Sequence, residues 1–291
     1  MRRLIINADD FGMTAGVNRA IAEAHSAGLV TSATLMANEV AVDEAIATAR
    51  RFPKLSAGCH VVLVDGTPVS SPGTVASLLA ISNGSGARFR PGISNLALAA
   101  TLQKVQPDEI RREAAAQIQS LKHRGLAPSH VDCHMHSHIL PVVADAVLSV
   151  ARDHGISTAR NPFEPAWSVR VTHQATSLRS WNRSLQVTVL RSLQARFLDT
   201  AKKNGIRVPD GTIGIAVTGL LNRALLSRLL TAMPDGTWEL VTHPGYNDDD
   251  LAQASTELKQ SRAKELELLT SEETLRAIEK HGIQLISYRE L

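Results

Sequence analysis

Cysteine is almost absent: among 291 residues only Cys59 and Cys133 carry a thiol. That excludes a disulfide framework and fits a reducing compartment. No apolar run is long enough to cross a bilayer. The start lacks the pattern of a secretion signal, since Arg2 and Arg3 are followed only by Leu4, Ile5 and Ile6 before Asn7. A cytoplasmic protein is the expectation. An excess of one charge is missing too. The 31 Lys and Arg against 28 Asp and Glu leave +3, which does not argue for a nucleic-acid partner. There is no internal repeat and no glycine-rich phosphate loop. What is present, 44% hydrophobic and 20% charged residues, is the composition of a soluble globular protein. The length suits one large α/β domain or two ordinary ones, and we read 1–291 as one.

Strand-like and helix-like stretches alternate along the chain. Strands are expected at 4–7, 29–37, 55–64, 129–135, 156–162, 211–217, 238–244 and 283–288. Helices are expected at 14–27, 42–51, 107–124, 141–154, 221–232 and 257–281. Two long excursions interrupt the rhythm, 65–105 and 163–205, the first with some helix near 95–104 and the second mostly helical. Such alternation implies parallel strands, because parallel neighbours need a crossover. An open doubly wound sheet and a (β/α) barrel both satisfy it. The polar residues favour the barrel. Asp9 and Asp10, His60, Asp132 and His134, Arg160 and His243 all fall at expected strand ends, and convergence of five strand ends suits a barrel's carboxyl-terminal face. The expected fold is therefore α/β, a distorted TIM-like barrel with mostly parallel strands.

Histidine is the residue that stands out. HVDCHMHSH (130–138) holds four of the eleven, GCH (58–60) and THPG (242–245) place others at strand ends. Imidazole and carboxylate together can bind a divalent ion, although a single histidine at a strand end often just caps or packs. Asp9 and Asp10 raise a geometric question. Neighbouring side chains on a strand point to opposite faces, so both can face one site only if the chain bends, and Gly12 is compatible with a bend. Cys59 and Cys133 each precede a candidate ligand. If His60 and His134 point inward, the cysteines pack outward under the helices.

NADDFG, GCHVVL, HVDCHMHSH with Pro141 close behind, ARNP, VTHPG and ISYREL occur in the order found in the YdjC-like carbohydrate deacetylases, the ChbG/HpnK family. GLVTSATLMANEVAVDEA (28–45) is similar to the family's segment after its first helix. The chain thus resembles this family over nearly its whole length. The resemblance implies a distorted TIM-like barrel that removes acetyl groups from N-acetylated sugars with a divalent metal. It implies Asp10, His60 and His134 as metal ligands and Asp9 as general base. His243 is the candidate acid, and Arg160 would tune Asp9 or bind substrate. Asp132, His136 and His138 would support the ligands or line the sugar site. Asp132-Cys133 stands where the family more usually has Asp-Ser or Asp-Gly, and Met135 where some members have histidine; neither removes a ligand.

One ion is expected, zinc by the ligand chemistry, with magnesium the alternative. The substrate would be an N-acetylglucosamine-containing sugar, either a chitooligosaccharide or a lipid-linked, hopanoid-type glycoside. Two rivals are a different barrel metal hydrolase, such as a phosphoesterase, and a non-catalytic sugar- or lipid-binding protein. The 163–205 excursion is basic, with Arg170, Arg179, Arg183, Arg191, Arg196, Lys202 and Lys203. On a helix from Trp181, apolar Leu185, Val189, Leu193 and Phe197 follow at about one per turn. The plain reading is an amphipathic helix packed on the barrel; the sharper one is contact with an anionic membrane surface. A homodimer is expected by analogy only.

Overall fold

The computed structural model describes residues 1–80, 86–175 and 193–291. Its axis is β1 (Arg2–Phe11), buried from Leu4 to Phe11. Beside it run β2 (Ser32–Leu35), β3 (Ser56–Val61), β4 (Val131–Cys133), β5 (Gly211–Ile213), β6 (Gly236–Thr242) and β7 (Ile283–Leu285). The sheet order is β4-β3-β2-β1-β6-β5, with β7 on β1, and every pairing is parallel. β6 pairs along Arg2–Ala8, β7 at Arg2–Leu4 and β2 at Asn7–Phe11. β7 and β2 thus share one edge of β1, and the sheet curls into the expected distorted barrel.

The sequence reading expects a strand at 156–162. The structure has isolated bridges there instead, Val131 to Ala159 and Thr158 to Arg207. The segment still bridges the two ends of the sheet: Arg160 N donates to Val131 O at 3.0 Å, and Phe163 O accepts from Thr212 N at 3.3 Å. Pro162 has no N–H to give to a ladder, and the Asn161 carboxamide and carbonyl bind Pro209 O and the Thr212 hydroxyl. Among the described residues the sheet therefore has seven strands rather than eight.

Eleven helices pack around the sheet among the described residues. They are α1 (Ala15–Ser26), α2 (Val42–Arg51), α3 (Gly92–Thr101), α4 (Pro107–His123), α5 (Pro141–Asp153), α6 (Ala166–Ala175), α7 (Gln194–Lys203), α8 (Arg223–Ala232), α9 (Asp249–Gln253), α10 (Gln260–Leu269) and α11 (Glu272–Lys280). Their starts follow from local chemistry. Thr14 caps α1 by accepting from Val17 N at 3.1 Å, and prolines open α4 and α5, where no N–H is needed. In α4, Ile110, Ala114, Ile118 and Leu121 recur at helical spacing and are buried.

The expected single helix over 257–281 is two, α10 and α11. The Thr270 hydroxyl donates to Leu266 O at 2.9 Å, and Ser271-Glu272-Glu273 reads as a fresh helix start. On α10 both Arg262 and Glu265 are buried.

The first excursion is a wall fastened to α4. Glu113, fully buried, accepts from Val69 N at 2.9 Å, Ser70 N at 3.0 Å and Gln117 Nε2 at 2.8 Å. Gln117 also bonds both backbone groups of Val62, at 2.8 and 2.7 Å. In the second excursion α7 packs on the barrel through buried Phe197, Thr200 and Ala201. Arg196 and Thr200 bind Asp145 of α5. Trp181, Leu185, Val189, Arg179, Arg183 and Arg191 lie outside the described residues. No described helix is long and apolar enough to cross a membrane.

Candidate active site

The bend that Asp9 and Asp10 require falls on Asp10 itself. Its φ is 64°, in the left-handed region, and Gly12 follows at 97°. Aspartate tolerates this conformation better than most residues. The pairing of β1 with β2 shifts register between Ala8 and Phe11, so the strand carries a bulge that re-aims its side chains. Gly12 is needed where it stands, because a Cβ there would lie 3.3 Å from Met36 O and Val42 Cα. Both carboxylates consequently reach the barrel interior.

Asp10 meets His60 from the end of β3 and His134 from the turn after β4. Asp10 Oδ1 lies 3.6 Å from His60 Nε2 and 3.4 Å from His134 Nδ1, and those two nitrogens are 3.3 Å apart. Asp10 Oδ1 is buried without a hydrogen-bond partner. Ligands about 2.0–2.1 Å from a tetrahedral ion stand about 3.3 Å from each other. The three atoms thus fit a divalent ion in spacing, and the orphaned oxygen fits in chemistry. His60 is oriented for this by Asp132, whose Oδ1 accepts from His60 Nδ1 at 2.6 Å. That bond turns Nε2 toward Asp10 and His134. Asp132, with Asp9 and Asp10, pulls the His60 pKa up to about 9 against the effect of burial.

A second set, Asp9, His60 and Asp132, also has metal-like spacing, but a protein cation already fills it. Arg160, fully buried, forks Asp9 with Nη1 to Oδ2 at 2.7 Å and Nη2 to Oδ1 at 2.6 Å. Its Nη1 is 2.7 Å from Asp132 Oδ2, and its Nε and Nη2 reach Glu239 Oε1 at 2.9 and 2.7 Å. Asn7 Nδ2 adds a bond to Asp9 Oδ1 at 2.8 Å. Arg160 holds the Asp9 pKa far below the usual carboxylate range although burial opposes it.

His243 follows β6 with its Nε2 3.9 Å from Asp9 Oδ2, and burial pushes its pKa down to about 4. Its backbone N–H donates to Glu265 Oε2 at 2.7 Å. His136 and Met135 both have left-handed backbones. His138 is buried, edge-on to Phe197 at 6.0 Å, with its pKa lowered to about 3 chiefly by burial. Cys59 and Cys133 pack in the main apolar core, and burial raises both thiols, so they remain protonated packing groups.

Four residues of this network escaped the sequence reading. Glu239 braces Arg160 and accepts from the Tyr288 hydroxyl at 2.7 Å and the Thr212 hydroxyl at 2.9 Å. An acidic residue between Trp238 and Leu240 in an apolar strand was its signal. Tyr288 also stacks on His130 at 3.8 Å. Arg262, fully buried, donates from Nη2 to Asp10 Oδ2 at 2.5 Å. Arg262 and Glu265 gave no signal, since each reads as one more solvated charge on a polar helix.

A cavity of about 570 Å³ opens beside His134, within the range of small-molecule sites. Met13, Met36, Glu39, Val62, Thr67 and Arg88 are among its walls.

A parallel α/β barrel that gathers an Asp–His–His set with metal-ligand spacing at the carboxyl ends of its strands is an architecture that many enzymes use. The particular kind follows from comparison with known proteins. The chain belongs to the YdjC-like protein family, whose model matches residues 3–280. It is 32% identical to a carbohydrate deacetylase of Brevibacillus brevis, over 99% of each chain. It is 33% identical to a carbohydrate deacetylase of Geobacillus stearothermophilus, over 99% of this chain and 98% of that one. A crystal structure from Enterococcus faecalis V583, provisionally described as a cellobiose-phosphate cleavage protein, superposes with a TM-score of 0.78 at 27% identity, covering 99% of this chain and 98% of that one.

Proposed function

We propose that the protein hydrolyses the N-acetyl group of an N-acetylglucosamine-containing sugar, with one divalent ion held by Asp10, His60 and His134. The observation that carries this is the unpartnered Asp10 Oδ1 facing two imidazole nitrogens at metal-ligand spacing, on a chain related to carbohydrate deacetylases. The near-tetrahedral spacing and the two imidazoles support zinc over magnesium. When bound, the ion supplies Lewis acidity to the acetamide carbonyl and lowers the pKa of water.

The chain's own residues then handle protons. Asp9 accepts the proton of the attacking water as its oxygen bonds to the acetyl carbon. Arg160 keeps Asp9 ionised but weakens it as a base, so Asp9 holds the proton only transiently before His243 takes it. His243, neutral at pH 7, relays a proton to the sugar nitrogen as the C–N bond breaks. The products are acetate and the free amine. The cavity beside His134 receives the sugar, with Glu39 in its wall. A two-metal phosphoesterase would need a second cation among Asp9, His60 and Asp132, where Arg160 already stands.

Acetate release tests the reading. The substrates are N-acetylglucosamine, diacetylchitobiose and a lipid-linked N-acetylglucosaminide, each with chelator and then with zinc or magnesium restored. Metal-restored acetate release that falls about 10²-fold or more in Asp9→Asn, with metal content unchanged, is the expected result. Full activity in chelator, or an unimpaired Asp9→Asn, would overturn the assignment. The preferred substrate decides between a soluble and a lipid-linked sugar, and sedimentation with anionic vesicles tests the proposed membrane contact of 163–205.

A further inference from the structure

The two oxygens of Asp10 have different surroundings. Oδ1 faces His60 and His134 and has no hydrogen bond. Oδ2 accepts from Arg262 Nη2 at 2.5 Å. Arg262 Nε donates to Leu258 O at 2.8 Å, and its Nη1 is buried without a partner. Asp10 is the one carboxylate it pairs with among the described residues. Burying a guanidinium with one ionic partner and an unsatisfied nitrogen is costly, and an apolar side chain would pack there more favourably. The fold also makes room for it: a Cβ at Gly245 would come within 2.9 Å of Arg262 Cδ.

We propose that Arg262 is a positioning residue that restricts Asp10 to a single donor oxygen. This rests on the reading that Asp10, His60 and His134 hold the ion. A carboxylate with both oxygens free can close on a divalent ion through both. That second bond would fill a position that a catalytic ion must leave open to water and substrate. The charged hydrogen bond from Arg262 occupies Oδ2 and prevents it. Glu265, one turn along the same helix, holds the backbone of His243, so α10 sets two sides of the site at once.

Cobalt(II) reports the number of ligands through its visible absorption, and the test needs no turnover. Wild type, Arg262→Lys, Arg262→Gln and Arg262→Met are loaded with cobalt at one ion per chain. Wild type and Arg262→Lys are expected to share one spectrum, because lysine also delivers a cation to Oδ2. Arg262→Met is expected to lose band intensity by about twofold or more as Asp10 adds its second oxygen, and Arg262→Gln to fall between. Equal spectra in wild type and Arg262→Met would overturn the proposal. Should Arg262→Met fail to fold, X-ray absorption on zinc-loaded wild type decides: one carboxylate oxygen supports the proposal and two overturn it. Wild type that takes up neither cobalt nor zinc would overturn the parent reading first.

Discussion

Arg160 grips both oxygens of Asp9, Nη1 to Oδ2 at 2.7 Å and Nη2 to Oδ1 at 2.6 Å, while the same guanidinium also binds Asp132 and Glu239. One cation thus compensates three buried carboxylates contributed by β1, β4 and β6.

Removing that cation should be among the most damaging single changes. Arg160→Met leaves the carboxylates unpaired and is expected to cost about 3–5 kcal/mol. Arg160→Lys keeps the charge but loses the fork, so it should recover part of the stability and little of the activity. Thermal or denaturant unfolding of the two variants checks the order. Equal stability of Arg160→Met and wild type would refute the arrangement.

Metal affinity should rise with pH. His60 is held at about 9 in the metal-free protein, so an ion must displace its proton at any lower pH. Apparent affinity is expected to climb about tenfold per pH unit from 7 to 9, with about one proton released per ion bound. Asp132→Asn removes the charge that raises His60. It should flatten that slope and weaken binding about 10- to 100-fold, since it loosens the ring's orientation. Titration calorimetry in buffers of different ionisation heat measures both quantities.

Glu265 should give the fold a stability that declines with pH. Burial raises its pKa from 4.5 to about 7. The folded chain therefore keeps a proton that the unfolded chain loses near 4.5. The contribution is complete below 4.5 and is lost as pH rises to 7, up to about 3 kcal/mol in all. Glu265→Gln can still accept from His243 N but cannot ionise. The stability difference between variant and wild type should therefore grow from about pH 4.5 to 7 and level off above it. A difference constant across that window would be the contrary result.

Glu39 should affect binding more than chemistry. It lines the cavity beside His134, and burial raises its pKa against the pull of His134. A carboxylate placed there can accept sugar hydroxyls. Glu39→Gln is expected to raise KM several-fold with kcat nearly unchanged, the signature of binding shared by ground and transition states. A fall in kcat alone would place Glu39 in the chemistry instead.

The sequence disclosed the skeleton of this arrangement unevenly. The gathering of Asp9, Asp10, His60 and His134 was legible because all four fall at expected strand ends, but Asp10, His60 and His134 as a ligand set came only from the resemblance to the YdjC-like family. The need for a bend at Asp9-Asp10 was legible from strand alternation alone, although its place, on Asp10 and not only at Gly12, was not. Arg262 was illegible because a charged residue on a polar helix reads the same whether it faces water or a buried carboxylate such as Asp10. The 156–162 segment misled for a related reason. Its residue pattern is that of a strand, but its backbone groups are divided between β4, Arg207 and the Asn161 contacts, leaving bridges in place of a ladder.

The fastening of the cavity wall to α4 constrains how substrate preference can diverge. Glu113 is a fully buried acid whose partners include two backbone N–H groups of the 65–80 stretch. A transplanted loop that failed to offer those groups would strand a charge in the interior. Loop and helix face must therefore be inherited as a cassette, and grafting a new wall alone should yield insoluble chains more often than new specificities.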